Sequence, residues 1–430
     1  MAISLVRTLF ITRSLPYPPI GGAPLRNWQN INIMMKSGPV AVFSVLPHES
    51  SHSAESPPGI AMLSIHHISN GQPSLWEKIE CQLRLHGCPQ ADKYYRYSVA
   101  RELDRVLAEF QPHLVVFEEL CLYYYLPVVK RHQCRIIYDA HNAEAFLYRE
   151  VYKARAVKGF KSKVKTSIEF ARIASIERDF VRQANQVWVC SDQDASLLQT
   201  LCRKALHTHV VPNGVDIAYY DSVRLDHHSL PTELEPVPLT LIFTASFNYP
   251  PNVLAARLLL NQVYPRLREV YPNCRLLLVG ISPTQDMQEA AEKEPGLVVT
   301  GKVPDIRPYL SASSAVIVPL LHGGGTRLKI LEAFAAGRPV VSTSKGAEGL
   351  RVRDGEHLLI GDSPDNLVAG VCRLWSEASL GQKLAQSAYE LVRNEYSWEM
   401  VGKRVEQASR ELLGAEVTTW PVNSRRLCPK

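Results

Sequence analysis

No run of apolar residues in this 430-residue chain approaches the ~20 positions that a membrane-spanning helix requires. The opening residues are apolar but are broken by Arg7 and lead to no small-residue cleavage site. No targeting segment is therefore expected, and the chain reads as soluble. Cysteine is sparse. Nine residues, scattered from Cys81 to Cys428 without a CxxC pair, argue against a zinc ribbon or disulfide framework and leave a reducing compartment as the expected setting. A large charge of one sign is missing as well. The net +6 is too small to indicate a nucleic-acid protein, though it suits an anionic ligand or membrane surface. What remains is ordinary globular material, 46% hydrophobic and 21% charged, in a chain too long for one compact core and sufficient for two.

Short apolar runs alternate with longer amphipathic ones, the pattern of parallel sheets with crossover helices. The first half offers strands at 5–11, 40–45, 114–117, 135–138, 187–189 and 209–211, with helices such as 25–36 and 100–110 between them. The second half restarts the scheme at 239–244, 275–279, 297–300, 315–318, 339–342 and 357–360. Residues 221–238, with prolines, paired histidines and no periodicity, read as the linker between two Rossmann-sized halves, 1–222 and 223–399. Residues 47–73, rich in Ser, His and Pro, read as an irregular loop or insertion, and 421–430 as a frayed tail.

Ligands on such sheets bind beyond the carboxyl ends of strands, so the strand-to-helix turns carry most of the information. The richest is His322-Gly323-Gly324-Gly325-Thr326-Arg327-Leu328-Lys329-Ile330-Leu331-Glu332, after the strand at 315–318. Its glycines cannot help a helix, but they let backbone N–H groups approach an anion closely. Thr326 is expected to begin a helix whose N-terminus carries about half a positive charge. Arg327 and Lys329 then add full charges in the first turn, where cations are disfavoured unless an anion is present, which is a phosphate-binding arrangement. Glu332 lies further along, suited to vicinal hydroxyls such as those of a ribose. The plain alternative is a glycine-rich loop followed by an amphipathic helix with surface Arg and Lys.

The run from Gly323 to Val341 resembles the donor-binding signature of the retaining glycosyltransferases of family 4, also called group 1. Glu332 matches the second of two family glutamates eight positions apart, the one that holds the donor ribose, and Gly324 stands where the first, a donor-sugar contact, is usual. Val211-Pro-Asn-Gly-Val-Asp216 is similar to the family's interdomain segment, and Gly301-Lys302-Val303-Pro304-Asp305 to the turn near the nucleobase. Tyr396-Ser-Trp-Glu399 resembles the start of the last helices, which in the family cross back onto the first domain, here at about 400–420.

The resemblance implies an α/β GT-B fold: two facing Rossmann-like domains with parallel sheets and an interdomain cleft, the first for the acceptor and the second for a nucleotide-sugar. It implies donor contacts at Gly21, Gly22, Gly323, Gly324, Gly325, Thr326, Leu328, Lys302 and Val303, and catalytic roles for His141, Arg327, Lys329 and Glu332. The cations usual after the first strand of the second domain are missing from Thr244-Ala-Ser-Phe-Asn-Tyr-Pro-Pro-Asn252, so Arg327 and Lys329 are expected to serve the diphosphate instead.

In the first half, Gly21 and Gly22 open a helix containing Arg26, a second candidate anion site comparable to a Gly-Gly turn of the family. His141, in Tyr138-Asp-Ala-His-Asn-Ala-Glu144, aligns with the family's active-site histidine, which contacts the donor sugar. Asp139 and Asn142 are expected to order that loop, and Arg26, Asn142, Glu118 and Glu119 are candidates for acceptor hydroxyls, against the reading of a solvated acidic turn. Asp192-Gln193-Asp194 follows Cys190-Ser191 and is read as helix capping rather than as a metal site. No metal and no other cofactor is expected beyond a nucleotide-sugar such as a UDP- or GDP-sugar.

Residues 151–165 hold Lys153, Arg155, Lys158, Lys161, Lys163 and Lys165 with no acid, and Phe160, Val164 and Ile168 give a partial apolar face. Such a run is either merely solvated or a peripheral membrane contact. The expected activity is transfer of a sugar, with retention, to a glycan or lipid-linked acceptor in polysaccharide or glycoconjugate assembly. The expected place is the cytoplasm or the inner face of its membrane. A nucleotide-sugar epimerase of the same architecture and a non-catalytic nucleotide-sugar-binding relative are the rivals. A dehydrogenase is disfavoured, because Leu278-Val-Gly280-Ile-Ser-Pro lacks GxGxxG.

Overall fold

The computed structural model describes residues 5–47, 57–68, 87–154, 160–225, 237–325 and 327–414. The chain divides into two compact units: 1–145 with 167–211 and 402–430, and 146–166 with 212–401. The boundary nearest the expected 222 falls after Val211, and the helix Ile217–Arg224 beyond it sends Tyr220 and Val223 into the core of the second unit.

The first unit is a parallel sheet of β1 (Thr8–Thr12), β2 (Val40–Leu46), β3 (Met62–His67), β4 (Leu114–Glu118), β5 (Arg135–Ala140), β6 (Gln186–Val189) and β7 (Thr208–Val210). Their order is β3-β2-β1-β4-β5-β6-β7. A parallel sheet is covered on both faces, so its central strands are apolar runs. Val40–Leu46 is buried at every position, and its one hydroxyl, on Ser44, is satisfied by Thr12 Oγ1 at 2.8 Å. Within the stretch expected to be irregular, 47–73, the structure has β3. It is the sheet edge, only half-buried, and its Ser64, His66 and His67 break the apolar run that marks an inner strand. The order reverses between β1 and β4, the switch point at which open sheets bind ligands beyond the strand ends.

The second unit repeats the plan with β8 (Thr240–Thr244), β9 (Arg275–Val279), β10 (Leu297–Val299), β11 (Ala315–Val318), β12 (Val340–Ser342) and β13 (Leu359–Ile360). The order is β10-β9-β8-β11-β12-β13, which puts its switch point between β8 and β11. The helix Leu328–Ala335 follows β11 and buries Ile330, Leu331, Ala333, Phe334 and Ala335. That spacing is one helical stripe.

The helix expected to return at about 400–420 is Trp398–Leu413. In the first unit Gln186 Nε2 donates to Ala408 O at 2.9 Å, and Val405, Ala408 and Ser409 are buried. The tail at 421–430 lies outside the described residues. At the start of this helix the Val215 N–H donates to Tyr396 O at 2.8 Å, and a Cβ on Gly214 would lie 2.6 Å from ring carbons of Trp398. Gly214→Ala is therefore expected to destabilise the protein by about 1–3 kcal/mol. A urea midpoint equal to that of the wild type would show that the ring gives way freely. Among the described residues no helix is long and apolar enough to cross a membrane.

Candidate functional site

In the second unit the turn after β11 is built on left-handed glycines, with φ of 104° at Gly323 and 80° at Gly325. Other residues adopt that conformation only with strain. Gly324 packs on the helix Glu144–Ala154: a Cβ there would meet Leu147 Cδ1 at 3.1 Å. Thr326 lies outside the described residues. The helix does not begin there. It starts at Leu328, with Arg327 as a non-helical N-cap (φ −83°, ψ 81°).

Arg327 therefore precedes the first turn, where it had been expected to lie, and its guanidinium turns back into the loop. It is buried and donates to Gly324 O at 2.9 Å and Lys345 O at 3.4 Å. Lys329 is in the first turn. Its ammonium donates to Asn252 Oδ1 at 3.3 Å and sits 4.3 Å from the centre of the Phe243 ring. Burial, reinforced by the charge of Arg327 and only partly opposed by Glu332, pulls its pKa down to about 7. Asn252 and Phe243 belong to β8 and the helix after it, so Lys329 lies at the β8/β11 switch point.

Burial raises the pKa of Glu332, against the opposing pull of the Tyr220 hydroxyl and of Lys329. Next to Tyr220, Tyr219 stacks under Arg307 at 3.9 Å and donates to Asp305 Oδ1 at 3.1 Å. The helix Ile217–Arg224 thus ties Glu332 to the turn of Lys302 and Val303, where Lys302 is exposed and Val303 packs on the core. Leu328 likewise packs on the core with its side chain.

In the first unit the switch point gathers the ends of β1, β4 and β5. Gly21 (φ 93°) and Gly22 stand exposed at the start of the helix Gly22–Met35. Arg26, expected to face an anion or acceptor, does neither. It is 1% exposed, and it grips Asp139 with Nε at 2.9 Å and Nη2 at 2.5 Å and donates through Nη1 to Val211 O at 2.8 Å. Asn30 adds a further bond to Asp139 at 3.0 Å.

Glu118, expected to meet acceptor hydroxyls, is also fully buried; its Oε2 bonds His141 Nε2 at 2.7 Å. With the Asn27 amide nitrogen turned toward the pair, it donates to Glu118 at 3.0 Å and to Ala23 O at 2.8 Å. Burial and the Asp139 charge raise the Glu118 pKa. Burial alone would lower that of His141, but the Glu118 hydrogen bond and the charges of Asp139, Glu118 and Glu119 outweigh it and raise it. Each group therefore holds a proton to higher pH than it would when free, and His141 Nδ1 is left toward Glu119 Oε1 at 3.7 Å.

Glu119 has a left-handed backbone (φ 82°) and pairs with Arg13, which is partly exposed. Asn142 donates to Glu144 at 3.2 Å, and Glu177 accepts from the N–H groups of Glu144 and Ala145 at 2.7 and 3.0 Å, ordering the loop from the far side. Ser191 accepts from Asp194 N at 3.0 Å and caps the helix Asp192–Cys202, whose first turn holds the Asp-x-Asp stretch.

The structure thus assembles His141, Glu118, Glu119 and Asn142 in one unit and Arg327, Lys329 and Glu332 in the other. Sequence reasoning missed Asn252, Tyr220 and the Arg307–Tyr219 stack. Only Asn252 lay in a segment singled out, and there the absence of cations hid an uncharged partner for Lys329.

Two family models match the chain: Glycosyltransferase Family 4 over residues 68–219 and Glycosyl transferases group 1 over residues 238–377. The lipopolysaccharide 1,2-N-acetylglucosaminetransferase of Salmonella typhimurium is 27% identical over 214 residues, 46% of this chain and 55% of that protein. The phosphatidyl-myo-inositol mannosyltransferase of Mycobacterium tuberculosis is 26% identical over 215 residues, 48% of this chain and 54% of that protein. The chain spans about half the length of these curated relatives. Sucrose-phosphate synthase from Thermosynechococcus elongatus superposes with a TM-score of 0.70 over 95% of this chain and 99% of its own, at 16% identity. Anabaena HepE in complex with UDP does so with 0.67 over 94% and 99%, at 15% identity. At these identities the likeness to solved structures is one of fold.

Proposed function

The chain belongs to the group 1 glycosyltransferases and has the GT-B fold, and from this premise we propose that it moves a sugar from a nucleotide-sugar to a hydroxyl of a glycan or lipid-linked acceptor. The observation that carries the reading is Lys329. A half-buried ammonium stands beside a second buried cation at the head of a helix and at a sheet switch point, with its pKa lowered by burial. Such a group gains most when an anion arrives to share the desolvated site.

The barrier to this transfer lies in expelling a nucleoside diphosphate from the anomeric carbon. Lys329 and the amides of Gly323, Gly324 and Gly325 stabilise the negative charge as it gathers, which is electrostatic catalysis and needs no metal. Glu332 holds the ribose, and Lys302 and Val303 flank the base. His141, kept charged by Glu118, donates through Nδ1 to the transferred sugar, while Glu119 and Asn142 serve the acceptor. The acceptor oxygen bonds to the anomeric carbon on the face from which the diphosphate leaves, and the acceptor proton passes to the departing phosphate oxygen. Configuration is retained. Arg26 and Glu118 hold the site together without touching substrate.

A UDP- or GDP-sugar is the donor class, in keeping with the UDP bound by HepE. A lipid-linked acceptor fits the lipopolysaccharide and phosphatidylinositol in the relatives' names. Lys161, Lys163 and Lys165 with exposed Val164 and Ile168 on the helix Phe160–Gln183 support contact with an anionic membrane at its cytoplasmic face. Arg155 and Lys158 lie outside the described residues.

A thermal-shift screen of UDP- and GDP-sugars tests the donor, since ligand at 100 times its Kd adds about 2.7 kcal/mol of apparent stability. Turnover that requires an acceptor supports transfer. Conversion of the sugar with no acceptor points to an epimerase, and stabilisation without turnover to a binding protein. If no nucleotide-sugar stabilises the chain, the reading fails.

Lys329 gives the screen a pH signature. With a free-protein pKa of about 7, the ammonium must take up a proton to meet diphosphate at higher pH. UDP affinity is therefore expected to weaken by up to about tenfold, about 1.4 kcal/mol, per pH unit above neutrality. Lys329→Met should remove that slope and weaken UDP binding about 10- to 100-fold near pH 7, as loss of a charge-assisted bond does. A slope that persists in Lys329→Met would assign the titration to another group.

A further inference from the structure

The first unit's sheet ends at β7, beside the helix Trp398–Leu413. His207, whose carbonyl accepts from Val187 N at 3.2 Å, extends that strand's ladder, so His207 and His209 share one face of it. Their rings meet edge to face with centroids 5.0 Å apart. From the helix, Glu411 brings Oε2 to 3.4 Å from His209 Nε2. One ligand atom from each of the three lies within 4.8 Å of the others. We propose that His207, His209 and Glu411 bind one zinc(II) ion that joins the sheet edge to the C-terminal helix.

The His209–Glu411 spacing is that of a ligand pair. Donors about 2.0–2.1 Å from a tetrahedral zinc stand about 3.3–3.4 Å apart, and His209 and Glu411 are at 3.4 Å. They are not aligned as a hydrogen bond: His209 Nε2 is buried and makes none among the described residues.

His207 is exposed and offers the third ligand, with water as the fourth. Glu411 Oε1 accepts from Gln407 Nε2 at 2.9 Å, which fixes the carboxylate from behind. Imidazole with carboxylate suits zinc better than magnesium or calcium, which prefer oxygen alone. The other such cluster among the described residues, Glu118, Asp139 and His141, differs in kind, because Arg26 already holds both Asp139 oxygens. At β7 the ion would pin a helix beside an open strand edge, a position proteins commonly protect.

The test is calorimetric titration of the metal-free full chain with zinc chloride, together with its melting temperature. The expected result is one equivalent bound and a raised Tm. Glu411→Gln, His209→Gln and the exposed substitution His207→Ala should each weaken binding by more than about 100-fold, since loss of even an outer partner costs about 10- to 100-fold. Gln407→Ala should fall within that smaller range. The nucleotide response of these variants should stay as in the wild type, which separates this site from the donor pocket. Zinc that fails to bind the wild type, or binds Glu411→Gln and His207→Ala as tightly as the wild type, overturns the proposal.

Discussion

Arg26→Ala is expected to cost about 3–5 kcal/mol, the usual penalty for removing one partner of a buried ion pair. The guanidinium is 1% exposed and makes a two-pronged bond to Asp139, which is wholly buried. Without it the Asp139 carboxylate keeps the Asn30 amide and faces His141 Nε2 at 3.8 Å, with Glu118 on the same imidazole. The third bond, to Val211 O at 2.8 Å, ties the same side chain to the end of the first unit's last loop. Hydrogen exchange of the β4 and β5 amides reports the loss locally, without assuming that the whole chain unfolds in one step. Arg26→Met combined with Asp139→Leu should recover most of it, because a well-packed apolar pair is often as stable as the ion pair it replaces. A loss below about 1 kcal/mol in the single variant would mean that water reaches Asp139.

The same residue marks the limit of what the sequence discloses. A cation one turn into a helix that opens on Gly-Gly looks the same whether its partner is a phosphate or a carboxylate, and here the carboxylate lies 113 positions away. Glu118 is a similar case. Its place at a strand end was legible, but its service to His141 depends on the register of β4 with β5, which pairs Glu118 with Asp139. The inner strands were readable because both faces of a parallel sheet are buried. Residues 275–279 and 315–318 were placed to the residue, whereas half-buried β3 was missed. Capping by Ser191 was readable because it is local. The late start of the helix at Leu328 was not, since it follows from Arg327 folding back onto Gly324 O and Lys345 O.

Gly324 joins these two kinds of information. Sequence alone placed a glycine where the family has a glutamate, and the structure supplies a steric reason for keeping it. Leu147 Cδ1 lies 3.1 Å from where a Cβ would be, so any side chain at 324 would require that methyl to give by a few tenths of an ångström. With no carboxylate at this position, the proposed donor contacts in the second unit are backbone amides, Lys329 and Glu332. On the proposed reading, discrimination among sugars then falls to groups outside this turn, of which His141 is the candidate.

His141→Ala is accordingly expected to lower kcat about 10²- to 10⁴-fold, the range for a positioned proton-bearing side chain. UDP affinity should change little, because the diphosphate contacts belong to other residues. The pH dependence separates the two sites. Against burial, the Glu118 hydrogen bond and the charges of Asp139, Glu118 and Glu119 raise the His141 pKa, so the imidazole keeps its proton to higher pH than a free one and loses it as pH rises through the folded value. At saturating donor, kcat should therefore fall on the alkaline side, while the Lys329 titration appears in KM. By the same sign, the stability that this charged imidazole contributes is complete below its unfolded pKa of about 6.5 and is lost as pH climbs past the raised one. Glu118→Gln keeps the shape and removes the charge that holds the proton, so the alkaline limb of kcat should move to lower pH with KM unmoved. If Glu118→Gln lowers kcat equally at every pH, Glu118 shapes the loop and does not act through the imidazole. If His141→Ala keeps more than about a tenth of wild-type kcat, the histidine is a structural residue of the β5 turn.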